Sequence, residues 1–524
     1  MHINQIKEIT FGDESRKKLL QGVEKLTNAV SVTMGPKGRH VLLEQDYGFP
    51  ILTKDGVSVA QEIELEDHIE NMGAQLVKEV SRNTANEAGD GTTTATVLAH
   101  AIFKEGLKNI SAGANPIEVK RGMDKAKDEI IKLLKMNSKE ITTKKEIEHV
   151  ATISANSEQS IGIMISEAMD KVGKDGIITV EEAKGFEDSL EVVNGMHFDT
   201  GFMSPFFITN TEKMTVELEN PLILINPENL AGLGDIVSLL GEVQKSKRPL
   251  LIITKDISQD ALNTCVANKL KNILDVTVIK APGYGGSGDD ILEDISIFTG
   301  TKIHGVGETI KDIKISDLGT IEKIIISRDK TIMKSTEISE KTLQRAEQIR
   351  TLIKDSKNEY ELKILKDRLS KLVGGVAVIK VGASSETELK EKKDRIDDAL
   401  GATKAAVDEG IIIGGGCALI RASKINLELS GDEYIGMNIV LKAIEAPIRQ
   451  IAKNAGYDDG VIINKVLTTG LNIGFNAATG EYVDMYEAGI IDSFKVARVA
   501  LSNAVSVAGM LLTTEAVVSI KPKL

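Results

Sequence analysis

The stretch Asp90-Gly91-Thr92-Thr93-Thr94 runs straight into Ala95-Thr96-Val97-Leu98-Ala99-His100-Ala101-Ile102-Phe103, so a carboxylate, a glycine and three hydroxyls stand at the mouth of a predicted helix. The first turn of a helix leaves backbone N–H groups without intrahelical acceptors, and its dipole favours anions. One reading is a plain N-cap, because Asp, Gly and Thr cap helices routinely. The other is a phosphate cradle, in which those N–H groups meet phosphate oxygens while Asp90 holds a divalent cation. The stretch alone favours the cap, and the rest of the chain has to decide.

Outward from it, residues 14 to 34 read as a helix with Leu19, Leu20, Val23, Leu26, Val30 and Val32 on its apolar face. Thr33-Met34-Gly35-Pro36-Lys37-Gly38 then stops the helix and exposes backbone. Two short strands follow, 40–43 and 50–53, and then the turn Lys54-Asp55-Gly56. Beyond the opening motif, Val119, Met123, Ala126, Ile130 and Leu134 mark an amphipathic helix. Residues 137 to 193 are mixed, with a helix at 158–171 and a strand at 176–180. From Asn194-Gly195 the texture changes: β-rich runs at 221–225, 249–253 and 276–280 alternate with helical patterns at 232–246 and 258–272, which predicts a βαβ domain with a buried sheet. Helices at 339–355 and 358–372 close that segment. Gly374-Gly375 before the strand 376–381 is a candidate hinge, as is Gly195; a simple turn is the competing reading.

At 524 residues the chain has room for three or so domains of ~150 residues. The 42% hydrophobic and 27% charged content is that of an ordinary soluble protein. Aromatics at 3%, the lack of Trp and a net charge of -13 argue against a nucleic-acid surface, which wants basic and stacking groups. Cys265 and Cys417 lack a CxxC spacing and imply a reducing compartment, and the seven histidines are scattered without metal-ligand spacing. The start of the chain does not read as a signal peptide, and no apolar run approaches the ~20 residues of a membrane span. The expectation is a cytoplasmic protein without membrane or nucleic-acid partners.

Three further constellations carry chemistry. Ile411-Ile412-Ile413-Gly414-Gly415-Gly416 is a buried strand entering a triple glycine, where backbone can approach a ligand; it is no P-loop, since GxxxxGK[ST] is absent. Gly283-Tyr284-Gly285-Gly286-Ser287-Gly288 fits GxGxxG after a strand, but Pro282 precedes it and Asp289 and Asp290 stand where a pyrophosphate would sit. The helix from Asp394 to Glu409 carries Asp397 and Asp398, about 100° apart, so at most one faces a common site; one could serve as a general base for water, while acids in a helix's first turn also suit the dipole on their own.

Together these blocks resemble the group I chaperonins of the bacterial GroEL type, from about Phe11 to Val518. The motifs are Thr33 to Arg39, Thr53 to Ala60, Asn71 to Val80, the opening stretch, Thr152 to Asn156, Ala281-Pro282-Gly283, Gly374 to Gly382, Asp397 to Leu400, Gly414 to Gly416 and Phe475 to Ala478. The resemblance implies an α+β multidomain chaperonin fold: a mostly helical equatorial domain (1–136 and 409–524), a small α/β intermediate domain (137–193 and 374–408) and an α/β apical domain (194–373). It implies an ATPase that captures non-native polypeptides and encloses them in a ring cavity, with ATP, Mg²⁺ and K⁺ as cofactors. Its partners would be unfolded chains, a GroES-type co-chaperonin and its own copies, in heptameric rings expected as two back to back. By position, Thr33, Met34, Gly35, Pro36 and Lys54 would lie at the phosphates, Asp90 would hold Mg²⁺, and Gly91, Thr92, Thr93 and Thr94 would cradle phosphate. Ile153 and Ser154 belong to the same set. Gly414, Gly415, Asn476, Ala477, Ala478, Ile490 and Asp492 would surround base and ribose. Asp398 would orient the attacking water, assisted by Asp55. Phe202, Phe206, Phe207, Val237, Leu240, Leu262 and Val266 would form the client face, although pattern alone reads most of them as core.

The chain departs from that pattern in several places. Thr200 stands at a usual arginine that pairs with the position of Glu386 on a neighbour, and Asn86 at a usual aspartate, so weaker ring cooperativity is expected. Gly286 to Asp290 replaces a basic cluster, Ala267 a valine and Ser493 a proline, and Lys521-Pro522-Lys523-Leu524 carries no Gly-Gly-Met repeats. A chaperonin-like ring ATPase with a specialised or non-folding partner is the alternative reading.

Overall fold

The computed structural model describes residues 7–44, 50–173, 176–183, 185–211, 213–283, 286–303, 313–335, 339–356, 358–373, 375–425 and 427–520. Gly374, Tyr284, Gly285, His2, His304 and Lys521 to Leu524 lie outside the described residues. The chain forms two units, one of 1–167, 182–188 and 381–524, the other of 168–181 and 189–380. The first is therefore built from both ends of the chain, and the second is inserted between them in sequence.

The core of the first unit is helix on helix. Gly12–Ser31, His68–Ala88, Thr92–Ser111, Pro116–Met136, Gly431–Ala443 and Phe494–Thr513 pack their apolar faces into one cluster. The periodic residues do what their spacing asks: Leu19, Val23, Leu26 and Val30 are buried, as are Val119, Met123, Ala126, Ile130 and Leu134. Leu20 and Val32 fall short of full burial, and the first helix stops at Ser31, because Thr33 and Met34 turn back onto Val30 and Ser31. Both chain ends are tied by the antiparallel pair Lys7–Phe11 with Ala516–Ile520.

Phe494–Thr513 is the one helix among the described residues long and apolar enough to cross a membrane by length and composition. That corrects the expectation of no such run. Ala500, Leu501, Ala504, Val505, Ala508, Leu511 and Leu512 are buried in the core, which accounts for the helix being apolar on most of its faces.

Strand Ile411–Ile413 pairs antiparallel with Ile491–Ser493, and this sets the triple glycine beside Ile490 and Asp492. Two hairpins, Val41–Leu43 with Ile51–Thr53 and Ile473–Asn476 with Glu481–Asp484, carry Lys54-Asp55 and Asn476-Ala477-Ala478 at their ends. The helix expected from Asp394 begins eight residues earlier, at Glu386, capped by the Ser385 hydroxyl on Glu388 N–H at 3.2 Å. Its first turns are a charge run without apolar period, so hydrophobic spacing cannot reveal them.

The second unit contains the expected βαβ arrangement. Leu222–Leu230, Leu250–Ile257 and Val276–Lys280 are parallel neighbours, connected through helices Val237–Ser246 and Gln259–Leu270, with Gly319–Thr320 antiparallel at the edge. A six-stranded sheet accompanies it, in the order 177–182, 376–381, 189–198, 331–335, 323–326, 216–219. Only its first two strands are legible as runs in the sequence. A buried carboxylate knits three helices of this unit: Asp294 accepts from Arg345 Nε at 2.7 Å and from Arg368 Nε at 2.9 Å, and Asp290 accepts from Arg368 Nη1 at 2.8 Å. Asp290 is thus engaged with an arginine.

Candidate nucleotide site

The first unit encloses a cavity of ≈ 590 Å³. Its floor includes the loop after the first helix. Thr33 Oγ1 donates to Val30 O at 2.8 Å, Gly38 N–H donates to Gly35 O at 2.9 Å, and Asn454 Nδ2 donates to Ser31 O and Met34 O at 2.9 Å each. The loop is therefore held from both sides with Thr33, Met34, Gly35 and Pro36 on the cavity.

Beside it, Asp55 caps helix Gly56–Glu62. Its carboxylate accepts from Val57 N–H at 3.0 Å, Ser58 N–H at 2.8 Å and the Ser58 hydroxyl at 2.7 Å. Asp55 lines the cavity with Lys54, but these hydrogen bonds hold its orientation.

The Asp90 stretch resolves its own ambiguity. The N-cap of Thr92–Ser111 is Gly91, in the left-handed region at φ 82°, and no side chain caps the helix. Asp90 is engaged elsewhere, accepting from Gly91 N–H and from the Ser154 hydroxyl. A helix amino end thus opens on the cavity through Gly91, Thr92, Thr93 and Thr94, with its first-turn donors uncapped by any side chain.

Opposite stands Asp398, on the Glu386–Glu409 helix, while its neighbour Asp397 is exposed. The approach of that helix depends on two glycines meeting backbone to backbone: a Cβ on Gly401 would lie 2.6 Å from both Gly89 Cα and O. Gly89 ends one helix immediately before Asp90, and Gly401 lies one turn after Asp398. Burial, then Asp90 and Asp55, push the Asp398 carboxyl well above the usual range. Burial likewise raises Asp90, against the lowering effect of its Ser154 hydrogen bond.

The far wall holds Gly415, Asn476, Ala477, Ala478, Ile490 and Asp492. Asn476 Oδ1 accepts from Ala478 N–H at 3.0 Å, and burial raises Asp492 to about 6. Gly414 is behind the surface: its N–H donates to Ile490 O at 2.9 Å, and it fixes the wall without lining it. With that exception every residue expected at the nucleotide lines this cavity, Ile153 and Ser154 included. Sequence reasoning missed the faces of two helices that complete it: Lys145, Glu148, His149 and Thr152 on one, Glu391, Asp394, Arg395 and Ala402 on the other. The signal that could have found them is helical spacing: i, i+3, i+4 and i+7 in the first set, and i, i+3, i+4 and i+11 in the second, with Asp398 at i+7.

Among the described residues no three His, Cys, Asp or Glu side chains are placed to hold a metal ion. Asp90, crowded by Asp55 and itself raising Asp398, would fit a Mg²⁺ that takes its remaining ligands from phosphate and water.

The residues expected on the client face lie in the second unit. Phe206 and Val237 are 62% and 60% exposed. Phe202, Leu240, Leu262 and Val266 are half-buried against the core. Phe207 is 0% exposed, which corrects its assignment: the turn Pro205–Phe207 sends adjacent rings to opposite sides, and Phe207 enters the core. In the GxGxxG look-alike the helix Gly286–Thr299 begins, and Asp290 there is engaged by Arg368. Ser493 caps Phe494–Thr513, its hydroxyl accepting from Val496 N–H at 3.5 Å. Cys265 and Cys417 are buried thiols raised by burial to about 11.

Solved structures share this architecture. The chaperonin gp146 from bacteriophage EL (Pseudomonas aeruginosa) superposes with a TM-score of 0.70 at 22% identity over 98% of this chain and 99% of that one. A second crystal form of the same protein gives 0.64 with the same identity and coverage. The model of the TCP-1/cpn60 chaperonin family matches residues 26–231 and 235–522. With motifs, fold and near-complete coverage in agreement, the chain belongs to the TCP-1/cpn60 chaperonin family.

Proposed function

We propose that this chaperonin binds ATP in the cavity of the first unit and hydrolyses it to drive capture and release of non-native polypeptides. The observation that carries the reading is the uncapped helix amino end at Gly91 facing Asp398 across one cavity. The phage chaperonin was crystallised in the presence of ATP-BeFx, which supports nucleotide binding as the reading.

In this reading the N–H groups and hydroxyls of Thr92, Thr93 and Thr94, with Lys54 and the Thr33–Pro36 loop, bind and orient the phosphates. Mg²⁺ on Asp90 would supply neutralisation of the phosphate charge. Asp398 accepts a hydrogen bond from the attacking water; as the oxygen–phosphorus bond forms and the bond to the ADP oxygen breaks, the water proton passes to its carboxylate. Burial and neighbouring negative charge raise the basicity of Asp398, which favours that acceptance. Asp55, held by its capping bonds, contributes charge and position.

The chain divides, in this proposal, into equatorial (1–136, 409–524), intermediate (137–193, 374–408) and apical (194–373) domains. Clients bind Phe206 and Val237 with the half-buried apolar groups around them, and a GroES-type co-chaperonin competes for the same face. Copies assemble as heptameric rings in the cytoplasm. The polar substitutions at Thr200 and Asn86 weaken cooperativity between subunits. Because only Phe206 and Val237 of these residues are largely exposed, a second reading is a chaperonin-like ring ATPase with a specialised or non-folding partner.

Phosphate release by purified protein tests the reading. Asp398→Ala is expected to lower hydrolysis by about 10²-fold while ADP binding persists. Hydrolysis at the wild-type rate in that variant overturns the assignment. Yield of refolded client with and without ATP separates a folding machine from a ring with one dedicated partner.

A further inference from the structure

The helix Lys144–Ser154 turns one face to the cavity, with Lys145, Glu148, His149, Thr152 and Ile153 in register along it. Across from it the chain makes a tight turn before Ile490. Ala488 N–H donates to Asp484 O at 2.9 Å, Gly489 N–H to Tyr486 O at 3.2 Å and Ile490 N–H to Met485 O at 2.8 Å. Gly489 sits at φ +70°, and the space its missing side chain leaves is taken by an imidazole. A Cβ there would lie 2.7 Å from His149 Cγ, 2.7 Å from Nδ1 and 2.9 Å from Cδ2. Three ring atoms at nearly equal distance mean that the ring rests with its face on the glycine.

Burial, helped by Lys145, holds this histidine below its usual pKa, so the contact is made by a neutral ring at pH 7. The same helix is anchored independently at its other end, where the Ser154 hydroxyl donates to Asp90. Beyond the apolar packing of Val150 on Ala402, Ala406, Ile411 and Ile491, two contacts therefore tie this helix to the cavity lining, Ser154 on Asp90 and His149 on Gly489.

We infer that His149 is a positioning residue of the nucleotide site. Its ring, seated on Gly489, holds the helix bearing Ile153 and Ser154 against the loop bearing Ile490 and Asp492, and so closes the base end of the cavity over bound nucleotide. The inference rests on the nucleotide reading above. Because the Ser154–Asp90 tie is separate, loss of the ring loosens the base end and leaves the phosphate end in place. The effect falls on nucleotide retention and spares the chemical step.

The test combines steady-state hydrolysis with direct ADP binding on the full-length protein. His149→Ala is expected to raise KM for ATP and Kd for ADP by about fivefold to tenfold with kcat within about twofold. His149→Phe, which keeps a flat ring, should restore most of the affinity. Gly489→Ala should weaken binding as His149→Ala does. In the His149→Ala background the added methyl should cost less, because only the strain at positive φ remains. Wild-type protein that binds neither ADP nor ATP overturns the nucleotide reading itself. Wild-type protein that binds, with His149→Ala unchanged in KM and Kd or with the two substitutions strictly additive, overturns this inference alone.

Discussion

Gly401→Ala tests whether the placement of Asp398 is set by backbone contact at Gly89. The new methyl would lie 2.6 Å from Gly89 Cα and O and 2.8 Å from its carbonyl carbon, where ordinary contact begins at 3.4 Å. All three atoms are backbone at the end of a helix, so no side chain can swing aside, and the Glu386–Glu409 helix must retreat by roughly 0.8 Å. Asp398 is one turn away on the same helix and moves with it. A displacement near 1 Å of a group that positions a reactant costs up to about 10²-fold in rate. The expected result is kcat for ATP hydrolysis lowered by about 10- to 100-fold, with KM within about threefold, since the phosphate and base walls stay in place. Stability should change little, because alanine gains about 1 kcal/mol over glycine within a helix and the crowding costs about as much. Phosphate release beside thermal unfolding reads both. A folded variant with wild-type kcat refutes the idea that this glycine contact sets the reach of Asp398.

Other expectations follow from burial and charge. Phe206→Ala should leave stability within ~0.5 kcal/mol and reduce capture of a denatured client, whereas Phe207→Ala should cost about 3–5 kcal/mol in denaturant unfolding, since only the second ring is in the core. Asp294→Asn removes the charge shared by Arg345 and Arg368 and should destabilise the second unit by roughly 3–5 kcal/mol, read in urea unfolding of the variant beside wild type. Burial, then Lys330 and Lys371, depress His197 to about 4 from 6.5. Its contribution is full above pH 6.5; as pH falls the unfolded chain takes the proton first, so stability drops between about 6.5 and 4 by up to about 3 kcal/mol. Unfolding midpoints across that range should show the loss, and His197→Gln should flatten it.

Elements whose identity depends on their own spacing are legible in the sequence. The Val119 to Leu134 stripe, the three parallel strands and the amino end at Asp90 read correctly because each carries its period or its punctuation in consecutive residues. The chaperonin motifs also brought the cavity set together, from Thr33 to Asp492, although those positions are far apart in sequence. What stayed hidden depends on the partner across the contact. Phe206 and Phe207 are the same residue type side by side, and a three-residue turn decides which ring meets solvent. Gly401 reads as a weak point in a helix until Gly89 is seen against it, and His149 reads as one scattered histidine until Gly489 is seen beneath its ring. At Gly401 and His149 the side chain, or its absence, is specified by a close approach between segments that are remote in sequence. Substitutions at Gly401 and His149 should therefore change the geometry of the site through the contact, and at His149–Gly489, where a second change can give back the space, Gly489→Ala should cost less once the ring is gone.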